Sequence, residues 1–279
     1  MNSRLRTHEY VLTDSDFDRL RHIVRELTGI SLGNSKRELV YSRLARRLRK
    51  LQLTSFSEYC ALVERGEAGE LQELTNAMTT NLTSFFREKY HFEQLAAEAL
   101  PYIARQRAET QRVRLWSAGC STGEEPYSMA MVLREALQGF ADWDVRLLAT
   151  DIDSKVVQSA AAGKYSFDRL KGVEQQRLAR WFEPDDARQH YTVKSELKSL
   201  ITFKQLNLLD AWPVKGPFDV IFCRNVTIYF DKDTQRELFE RMADVQEPGG
   251  WLFVGHSENL FNVTERYKLV GRTVYRRTD

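Results

Sequence analysis

From about residue 85 onward, short apolar strands alternate with amphipathic helices along the chain. This alternation predicts a doubly wound, mostly parallel sheet, because helical crossovers connect parallel strands and cover both faces of the sheet. We therefore expect a Rossmann-like α/β fold for this part of the chain. The predicted strands are residues 113–118, 145–150, 218–223 and 249–255, and the predicted helices are residues 90–106, 124–137, 154–162 and 233–244.

Two segments depart from the simple alternation. Residues 163–206 are too long for one crossover, and they contain a helix and short strands at 190–193 and 200–203. We interpret them as a small insertion with antiparallel strands. Residues 267–275 resemble a hairpin that turns at Gly271, which would add antiparallel strands at the edge of the sheet.

Before this region, residues 14–84 have only helical periodicity, with apolar side chains at three- and four-residue steps. Gly29 supplies a stop for the first predicted helix. No strand pattern interrupts the helices that follow, at about 35–51, 55–65 and 69–78. We predict an all-α N-terminal domain over residues 1–84 and the α/β domain over residues 85–279.

The composition is that of an ordinary globular protein, with 42% apolar residues, 29% charged residues and a formal net charge of +2. A charge so near zero argues against a protein that coats nucleic acid. Cys60, Cys120 and Cys223 are far apart in sequence, which argues against a disulfide framework or a zinc site. No apolar run approaches the roughly 18 residues of a membrane span, and residues 1–8 lack the apolar core of a signal peptide. We expect a cytoplasmic protein that holds no metal.

The loop after the first predicted strand has the composition of a ligand-binding turn. In a doubly wound sheet, ligands bind at the carboxyl ends of the strands, where the strand order reverses. Gly119 and Gly123 allow a tight turn and a close approach of a ligand to the backbone. Glu124 and Glu125 would repel a pyrophosphate and favour a cation, such as the amino group of a methionyl moiety. The dinucleotide spacing G-x-G-x-x-G is absent, although a two-glycine loop alone is also compatible with an ordinary turn.

Three further strand ends carry polar residues. Asp151 follows the second strand, where an ionised carboxylate would accept hydrogen bonds from ribose hydroxyls. The alternative role for it, a helix cap, suits Asp153 better. Asn207 and Leu208 follow a short strand and could flank an adenine, and polar groups appear abruptly in residues 223–230. Together these ends predict a site for an adenosine joined to an amino acid.

Several longer strings resemble the CheR-type chemotaxis receptor methyltransferases, which are protein-glutamate O-methyltransferases. The resemblance extends in order over essentially the whole chain, including the helical N-terminal domain and the insertion. The strings are TTNLTSFFR at 79–87, STGEEPYS at 121–128, ATDID at 149–153, FCRNV at 222–226, IYF at 228–230 and GHSEN at 255–259.

This resemblance implies an activity, a cofactor and a set of site residues. The implied cofactor is S-adenosylmethionine, with S-adenosylhomocysteine as its product, and the implied substrate is the glutamate-rich helical region of chemoreceptors in the cytoplasm. The N-terminal helices and the insertion would face the receptor, and Tyr229 would lie close to the reacting methyl group. The residues implied to contact the cofactor are Asn81, Thr83, Arg87, Glu125, Asp151, Asn207, Leu208, Arg224 and Asn225.

Two features depart from the family pattern. Thr227 stands where family members commonly carry Met, which alters the packing beneath Tyr229. The loop 183–190 is short and has no glycine, whereas members that bind a pentapeptide at the receptor C-terminus tend to have a longer loop with glycine. We therefore do not expect this protein to bind such a pentapeptide.

The expected reaction needs no general base. A glutamate with an unperturbed pKa near about 4.3 is already ionised at neutral pH. Arg87 would orient the incoming carboxylate with its planar guanidinium, and Tyr229 would position the methyl group and one carboxylate oxygen. The alternative for Arg87 is an ordinary surface arginine, and the alternative for Tyr229 is an aromatic side chain of the core. His256 is expected to make a structural hydrogen bond rather than to act as a base.

The predicted helix at 35–51 presents a basic stripe. Arg43, Arg46, Arg47 and Lys50 follow one another at i, i+3, i+4 and i+7, so they share one face of the helix. We expect this face to dock the acidic methylation region of a receptor through complementary charge. The alternative is an ordinary solvated face.

Two other functions are compatible with parts of the sequence. A nucleic-acid methyltransferase could bind phosphates with the basic stripe, but aromatic residues are not interleaved with it and no N-P-P-[YF] motif is present. A regulatory adaptor could keep the fold without turnover, but the joint presence of Arg87, Asp151 and Tyr229 favours an enzyme. We expect the chain to be peripheral to membrane-bound receptors, and the sequence identifies no regulatory partner.

Overall fold

The computed structural model describes residues 9–136 and 143–279, and the chain divides after Thr80 into two compact units. The prediction of an all-α domain followed by an α/β domain is confirmed. The expectations for residues 1–8 and for Leu137, the last residue of a predicted helix, lie outside the described residues.

The division between the units lies slightly before the predicted boundary after residue 84. The segment that follows Thr80 is bonded into the second unit, which explains the difference. Ser121 Oγ donates a hydrogen bond to the carbonyl of Asn81 at 3.1 Å, and the backbone N–H of Phe86 donates to Ser128 Oγ at 3.0 Å.

The first unit consists of helices that share one core. Helix α1 begins with a capping box between Thr13 and Asp16 and ends at Gly29, which has a φ of 73° and is the predicted stop. A short 3-10 turn, Asn34–Lys36, precedes the second helix. The helices are α1 (Asp14–Thr28), α2 (Arg37–Leu51), α3 (Phe56–Glu64) and α4 (Ala68–Met78). Their apolar stripes meet around the fully buried side chains of Leu20, Leu44, Leu48, Phe56 and Leu74.

The second unit contains two sheets within its described residues. The strands are β1 (Arg112–Ala118), β2 (Asp144–Asp151), β3 (Lys164–Ser166), β4 (Phe182–Pro184), β5 (His190–Val193), β6 (Ile201–Gln205), β7 (Phe218–Cys223), β8 (Gln246–Val254), β9 (Tyr267–Gly271) and β10 (Val274–Arg277). The large sheet has the order β6-β2-β1-β7-β8-β10-β9, and the small sheet has the order β3-β5-β4.

The large sheet is parallel except at one edge. Strands β6, β2, β1, β7 and β8 pair in parallel, whereas β10 runs antiparallel to both β8 and β9. The strand order reverses at β1, because β2 lies on one side of it and β7 on the other. The carboxyl ends of these three strands therefore meet at the switch point, which is the predicted place for a ligand.

Both faces of the large sheet are covered by apolar side chains. Along each central strand the residues alternate between two layers, as in a parallel sheet buried on both sides. The helices of this unit are α5 (Lys89–Gln94), α6 (Leu100–Gln106), α7 (Glu124–Ala136), α8 (Ser154–Ala162), α9 (Gln175–Trp181), α10 (Ser195–Lys198) and α11 (Lys232–Asp244), and a π-helical turn, Leu95–Ala99, joins α5 to α6. Leu115, Phe222 and Phe253 belong to one layer, and Trp116, Ile221 and Leu252 to the other. None of the helices in the described residues has the length and apolarity to cross a bilayer.

The predicted insertion over 163–206 extends too far. The small antiparallel sheet exists, but the segment Ile201–Gln205 is strand β6 of the large sheet and pairs in parallel with β2. The hydrogen bond from Leu206 N–H to the carbonyl of Asp151, at 2.9 Å, continues that pairing. The composition of a short strand does not show which sheet it joins, because that depends on strands that lie far away in the sequence.

The conformation of Gly123 provides a test of the fold. Its φ is 97°, and an added Cβ would lie 2.8 Å from the Tyr165 hydroxyl and 2.9 Å from the Cβ of Ala160. We expect Gly123→Ala to lower the free energy of unfolding of the second unit by about 1–3 kcal/mol. The control is Gly69→Ala in helix α4, where nothing lies within 4 Å and a gain of about 0.5–1 kcal/mol is expected. Urea unfolding followed by circular dichroism measures the stability of both variants. Equal changes in the free energy of unfolding would contradict the close packing described at Gly123.

Candidate functional site

The loop after β1 lies at the switch point of the sheet. The backbone N–H groups of Gly119 and Cys120 both donate to the carbonyl of Thr150, each at 2.8 Å, so the loop is tied to the end of β2. Gly119 has a φ of 92°, and a Cβ there would overlap the side chain of Val226, in the turn after β7. The ends of the three central strands are thus packed against one another.

Asp151 is buried at the tip of β2. Its carboxylate accepts a hydrogen bond from the backbone N–H of Ser121 at 2.8 Å and another from that of Asp153 at 3.0 Å. Burial raises the pKa of Asp151 to about 6, although these two bonds oppose the shift. A carboxylate has about four acceptor positions on its two oxygens, so Asp151 keeps acceptor capacity for a hydroxyl donor.

Asn81 joins this cluster through its side chain, and Thr83 lies half-buried on the same segment. Asn81 Nδ2 donates to Asp153 Oδ2 at 2.8 Å. Asp153 also caps helix α8, since its side chain accepts from the backbone N–H groups of Lys155 and Val156. The interpretation of Asp153 as the helix cap is confirmed.

Arg224 follows β7 and is the buried cation of the site. Its side chain is 2% exposed. One terminal nitrogen lies 3.1 Å from Glu125 Oε2, and the other lies 3.2 Å from Glu88 Oε2 and donates to the carbonyl of Arg87 at 2.6 Å. Among the described residues, no hydrogen-bond acceptor is found for its buried Nε. Arg224 therefore joins the end of β7 to helix α7 and to the segment before α5.

The two acids that open helix α7 are each paired with an arginine of the protein. Glu124 is fully buried and forms an ion pair with Arg169. Glu125 accepts a hydrogen bond from Ser117 Oγ at 2.8 Å as well as from Arg224. Burial raises the pKa of Glu125, although Arg224 and the Ser117 hydroxyl oppose that shift.

Glu88 is a site residue that the sequence reasoning missed. Its carboxylate contacts Arg224 and lies 2.9 Å from Nδ1 of His256, so His256 makes the predicted structural hydrogen bond. Burial raises the pKa of Glu88, but the bond from His256 and the charge of Arg224 outweigh burial and lower it to about 2. The only signal in the sequence was its position directly after the string that ends at Arg87.

Arg87 itself lies between two residues with left-handed backbone conformations, Phe86 with a φ of 53° and Glu88 with a φ of 58°. One terminal nitrogen of Arg87 donates to the carbonyl of Leu82 at 2.8 Å. Within residues 9–136 and 143–279, no carboxylate forms an ion pair with Arg87.

The turn after β7 carries Asn225 and Tyr229. Asn225 has a φ of 60°, and the 3-10 helix Thr227–Tyr229 follows it. Tyr229 is half-buried, and Ile228 beside it is 47% exposed. The turn thus brings Tyr229 to the same end of the sheet as Arg224.

Asn207 and Leu208 follow β6, at the next strand end along the sheet. Asn207 Oδ1 accepts from the backbone N–H of Leu209 at 3.1 Å, which closes a local turn. Leu208 is buried, and its carbonyl accepts from Trp212 Nε1 at 3.1 Å and from Arg241. The structure therefore places the predicted cofactor residues at the ends of strands, in the first turn of helix α7 or on the segment 81–87; their contacts with a cofactor stay predictions.

The four residues of the predicted basic stripe divide into two pairs. Arg43 donates to the carbonyls of Met78 and Thr79, and Arg47 forms ion pairs with Glu70 and Glu73, all within the first unit. Arg46 and Lys50 are exposed. The stripe is therefore not uniformly open to solvent, because half of it holds α2 against α4.

No cluster of three or more His, Cys, Asp or Glu side chains in the described part of the chain could hold a metal ion. The three cysteines are buried free thiols.

Comparison with known proteins shows two family matches that together span most of the chain. Residues 81–276 match the family described as "CheR methyltransferase, SAM binding domain", and residues 15–79 match "CheR methyltransferase, all-alpha domain". The "Chemotaxis protein methyltransferase 2" of Pseudomonas aeruginosa is 47% identical over 272 residues, which cover 96% of this chain and 94% of the relative. The "Chemotaxis protein methyltransferase" of Escherichia coli is 43% identical over 273 residues, with 96% and 93% covered.

The groups at the strand ends fit the chemistry of S-adenosylmethionine. Glu88 and Glu125 supply two carboxylates against the single guanidinium of Arg224, so the cluster keeps an excess negative charge that suits a cationic ligand. Asp151 offers a buried acceptor for ribose hydroxyls, and Leu208 offers an apolar surface. S-adenosylmethionine contains no phosphate, so its binding site needs no group that binds a pyrophosphate.

The raised pKa of Asp151 predicts a pH dependence of cofactor binding. Above about pH 6 the carboxylate is ionised and would accept hydrogen bonds from the predicted ribose hydroxyls; below this pH it gains a proton and loses an acceptor site. We therefore expect the affinity for S-adenosylhomocysteine to fall as the pH is lowered through about 6. Asp151→Asn should bind roughly tenfold more weakly at neutral pH and lose most of this dependence.

Isothermal titration calorimetry at several pH values measures both effects. The control is Asp219→Asn, which alters a buried carboxylate at the opposite end of β7 that is bonded to Arg107 and Arg114. It should keep the wild-type pH profile. Equal affinity of Asp151→Asn and the wild type would remove Asp151 from the site.

Proposed function

Since the chain belongs to the CheR methyltransferase family, we propose that it esterifies glutamate side chains on the cytoplasmic helical region of chemoreceptors. The protein is an S-adenosylmethionine-dependent methyltransferase of chemotaxis. Methyl esters on receptor glutamates remove negative charge, which would adjust signalling during sensory adaptation.

The proposed cofactor site is the group of strand ends around the switch point. Asp151 accepts from the ribose hydroxyls, and Asn207 and Leu208 flank the adenine. The cluster of Arg224, Glu125 and Glu88 faces the amino-acid moiety, where its excess negative charge favours the ammonium group. Asn81, Thr83 and Asn225 complete the lining. The bound cofactor supplies an electrophilic methyl group on a sulfonium.

The observation that carries the substrate proposal is the contrast between two arginines. Arg224 is buried and already contacts two carboxylates, whereas Arg87 has no acidic partner among the described residues. The carbonyl of Arg87 is held by Arg224, so the guanidinium of Arg87 starts from a fixed backbone. An arginine placed in this way can bind an incoming carboxylate with its planar fork and orient one oxygen for attack.

The remaining steps need no acid or base from the protein. The substrate glutamate is already ionised at neutral pH, so attack on the methyl group requires alignment and exclusion of water. Tyr229 positions the methyl group and one carboxylate oxygen. Arg87 must not neutralise the nucleophile completely, because a very tight ion pair would stabilise the ground state rather than the transition state.

The receptor would dock on the first unit and on the small sheet of the second unit. On α2, the exposed Arg46 and Lys50 offer positive charge to a glutamate-rich helix. Arg43 and Arg47 hold α2 in place through their bonds to α4. A peripheral association of this kind needs no membrane insertion by the chain. The short turn between β4 and β5 supports the expectation that a receptor pentapeptide is not bound there. We place the reaction in the cytoplasm, since free thiols suit a reducing compartment.

The proposed function is tested by incubating the protein with chemoreceptor and a tritiated methyl donor, followed by mild base. A glutamate methyl ester releases its label as methanol under these conditions, whereas methylated nitrogen does not. Parallel incubations with RNA and DNA test the nucleic-acid alternative. Failure to bind S-adenosylhomocysteine in calorimetry would indicate a regulatory adaptor instead. Label on nucleic acid, or label that is stable to base, would contradict the proposal.

The role of Arg87 predicts a specific loss of turnover. We expect Arg87→Ala to lower kcat/KM for receptor by an amount equivalent to about 2–5 kcal/mol, because the incoming carboxylate loses its charged partner. Arg87→Lys should restore only part of the activity, since an ammonium lacks the planar fork. Thermal unfolding of both variants serves as the control for stability. Wild-type turnover in Arg87→Ala would refute this role.

The proposed docking surface predicts a separate effect on receptor binding. The double substitution Arg46→Glu and Lys50→Glu should raise the KM for receptor and leave the affinity for S-adenosylhomocysteine unchanged, because both residues are exposed on α2. Lys215→Glu with Lys268→Glu, at exposed positions of the second unit, provides the same change in net charge. If the two double variants methylate receptor equally well, the docking surface lies elsewhere.

A further inference from the structure

The loop after β8 carries a buried carboxylate that takes no direct part in the proposed reaction. Glu258 is 4% exposed. Its oxygens accept hydrogen bonds from the backbone N–H groups of Asn225 at 2.7 Å, Val226 at 3.0 Å and Thr227 at 2.7 Å, from the Thr227 hydroxyl at 2.8 Å, and from the N–H of Gly255.

The donors that converge on Glu258 belong mostly to the turn after β7. Three consecutive backbone N–H groups of residues 225–227 point to one anion, which is the arrangement of an anion-binding nest. Asn225 is left-handed, with a φ of 60°, a conformation that asparagine adopts more readily than other non-glycine residues. The 3-10 helix Thr227–Tyr229 begins at the last of these three residues. The contact with Glu258 therefore fixes the direction in which the turn leaves the sheet.

Close packing restricts the turn from the other side as well. A Cβ at Gly255 would lie 2.8 Å from Glu258 Oε2 and 2.9 Å from the backbone nitrogen of Asn225. The turn and the loop after β8 thus touch along their backbones, so the turn cannot shift without breaking its bonds to Glu258.

We propose that Glu258 is a positioning residue for methyl transfer: its carboxylate holds the turn 225–229 so that Asn225 and Tyr229 face the cofactor and the substrate carboxylate. The inference rests on the proposed function, in which Tyr229 stands next to the reacting methyl group. A displacement of about 1 Å at such a group can lower a rate roughly 100-fold. A carboxylate suits this role because both of its oxygens only accept hydrogen bonds.

The substitution Glu258→Gln tests the proposal with little change of shape. The amide NH2 of glutamine would face N–H donors in place of an acceptor oxygen, so part of the nest would be lost. We expect kcat on receptor to fall about 10- to 100-fold at saturating methyl donor, with little change in the KM for receptor. Amide hydrogen exchange of residues 225–227, measured without cofactor, should become faster.

Asp219→Asn is the matched control, because Asp219 is also buried and also accepts a backbone N–H, that of Arg114 at 2.8 Å. It should lower the melting temperature and leave both kcat and the exchange of residues 225–227 unchanged. Unchanged kcat in folded Glu258→Gln would overturn the proposal. An equal loss of kcat in both variants would also overturn it, because the loss would then follow general destabilisation.

Thr227→Val is a milder variant that serves if Glu258→Gln does not fold. It removes one donor to Glu258 and keeps a branched side chain, so kcat should fall and exchange at residues 225–227 should accelerate. Wild-type values of both would overturn the inference. The two proposals can fail independently. If the wild-type protein forms no ester on receptors, the proposed function is wrong. If amide exchange is unchanged in Glu258→Gln, only the positioning role of Glu258 is wrong.

Discussion

The candidate site depends on one buried cation, the guanidinium of Arg224 between Glu125 and Glu88. Loss of the arginine would leave two buried carboxylates without a cationic partner in a water-poor environment. The same guanidinium holds the carbonyl of Arg87. Three chain segments that are distant in sequence are therefore fixed at the carboxyl end of the sheet by a single side chain.

This arrangement gives the two arginines different roles. Arg224 contacts both buried carboxylates, and in the proposed function Arg87 binds the substrate carboxylate. Methyl transfer to an anionic oxygen makes few demands on acid–base chemistry and strong demands on alignment, since the nucleophile is already ionised. The left-handed backbone of Phe86 and Glu88, on both sides of Arg87, is consistent with a site that is shaped by rigid positioning.

Local patterns in the sequence predict much of this fold. The strand 218–223 and the helix 154–162 have the predicted bounds, because an uninterrupted apolar run marks a buried strand and Asp153 marks a helix start. Such local patterns do not predict which distant segments pair. The pattern at 200–203 therefore predicts a strand of the small sheet, whereas residues 201–205 pair with β2 in the large sheet. The pattern also does not indicate the partners of Arg47 on α4 or of Glu88 at the site, since these depend on which surfaces meet after folding.

A crystal structure with bound S-adenosylhomocysteine would show where the cofactor lies. We expect the ribose against the carboxylate of Asp151 and the amino-acid moiety beside the cluster of Glu125, Arg224 and Glu88 with its ion pairs intact. The guanidinium of Arg87 should still have no acidic partner from the protein. A nucleoside bound away from the switch point of the sheet, or Arg87 paired with a protein carboxylate in the complex, would contradict this expectation.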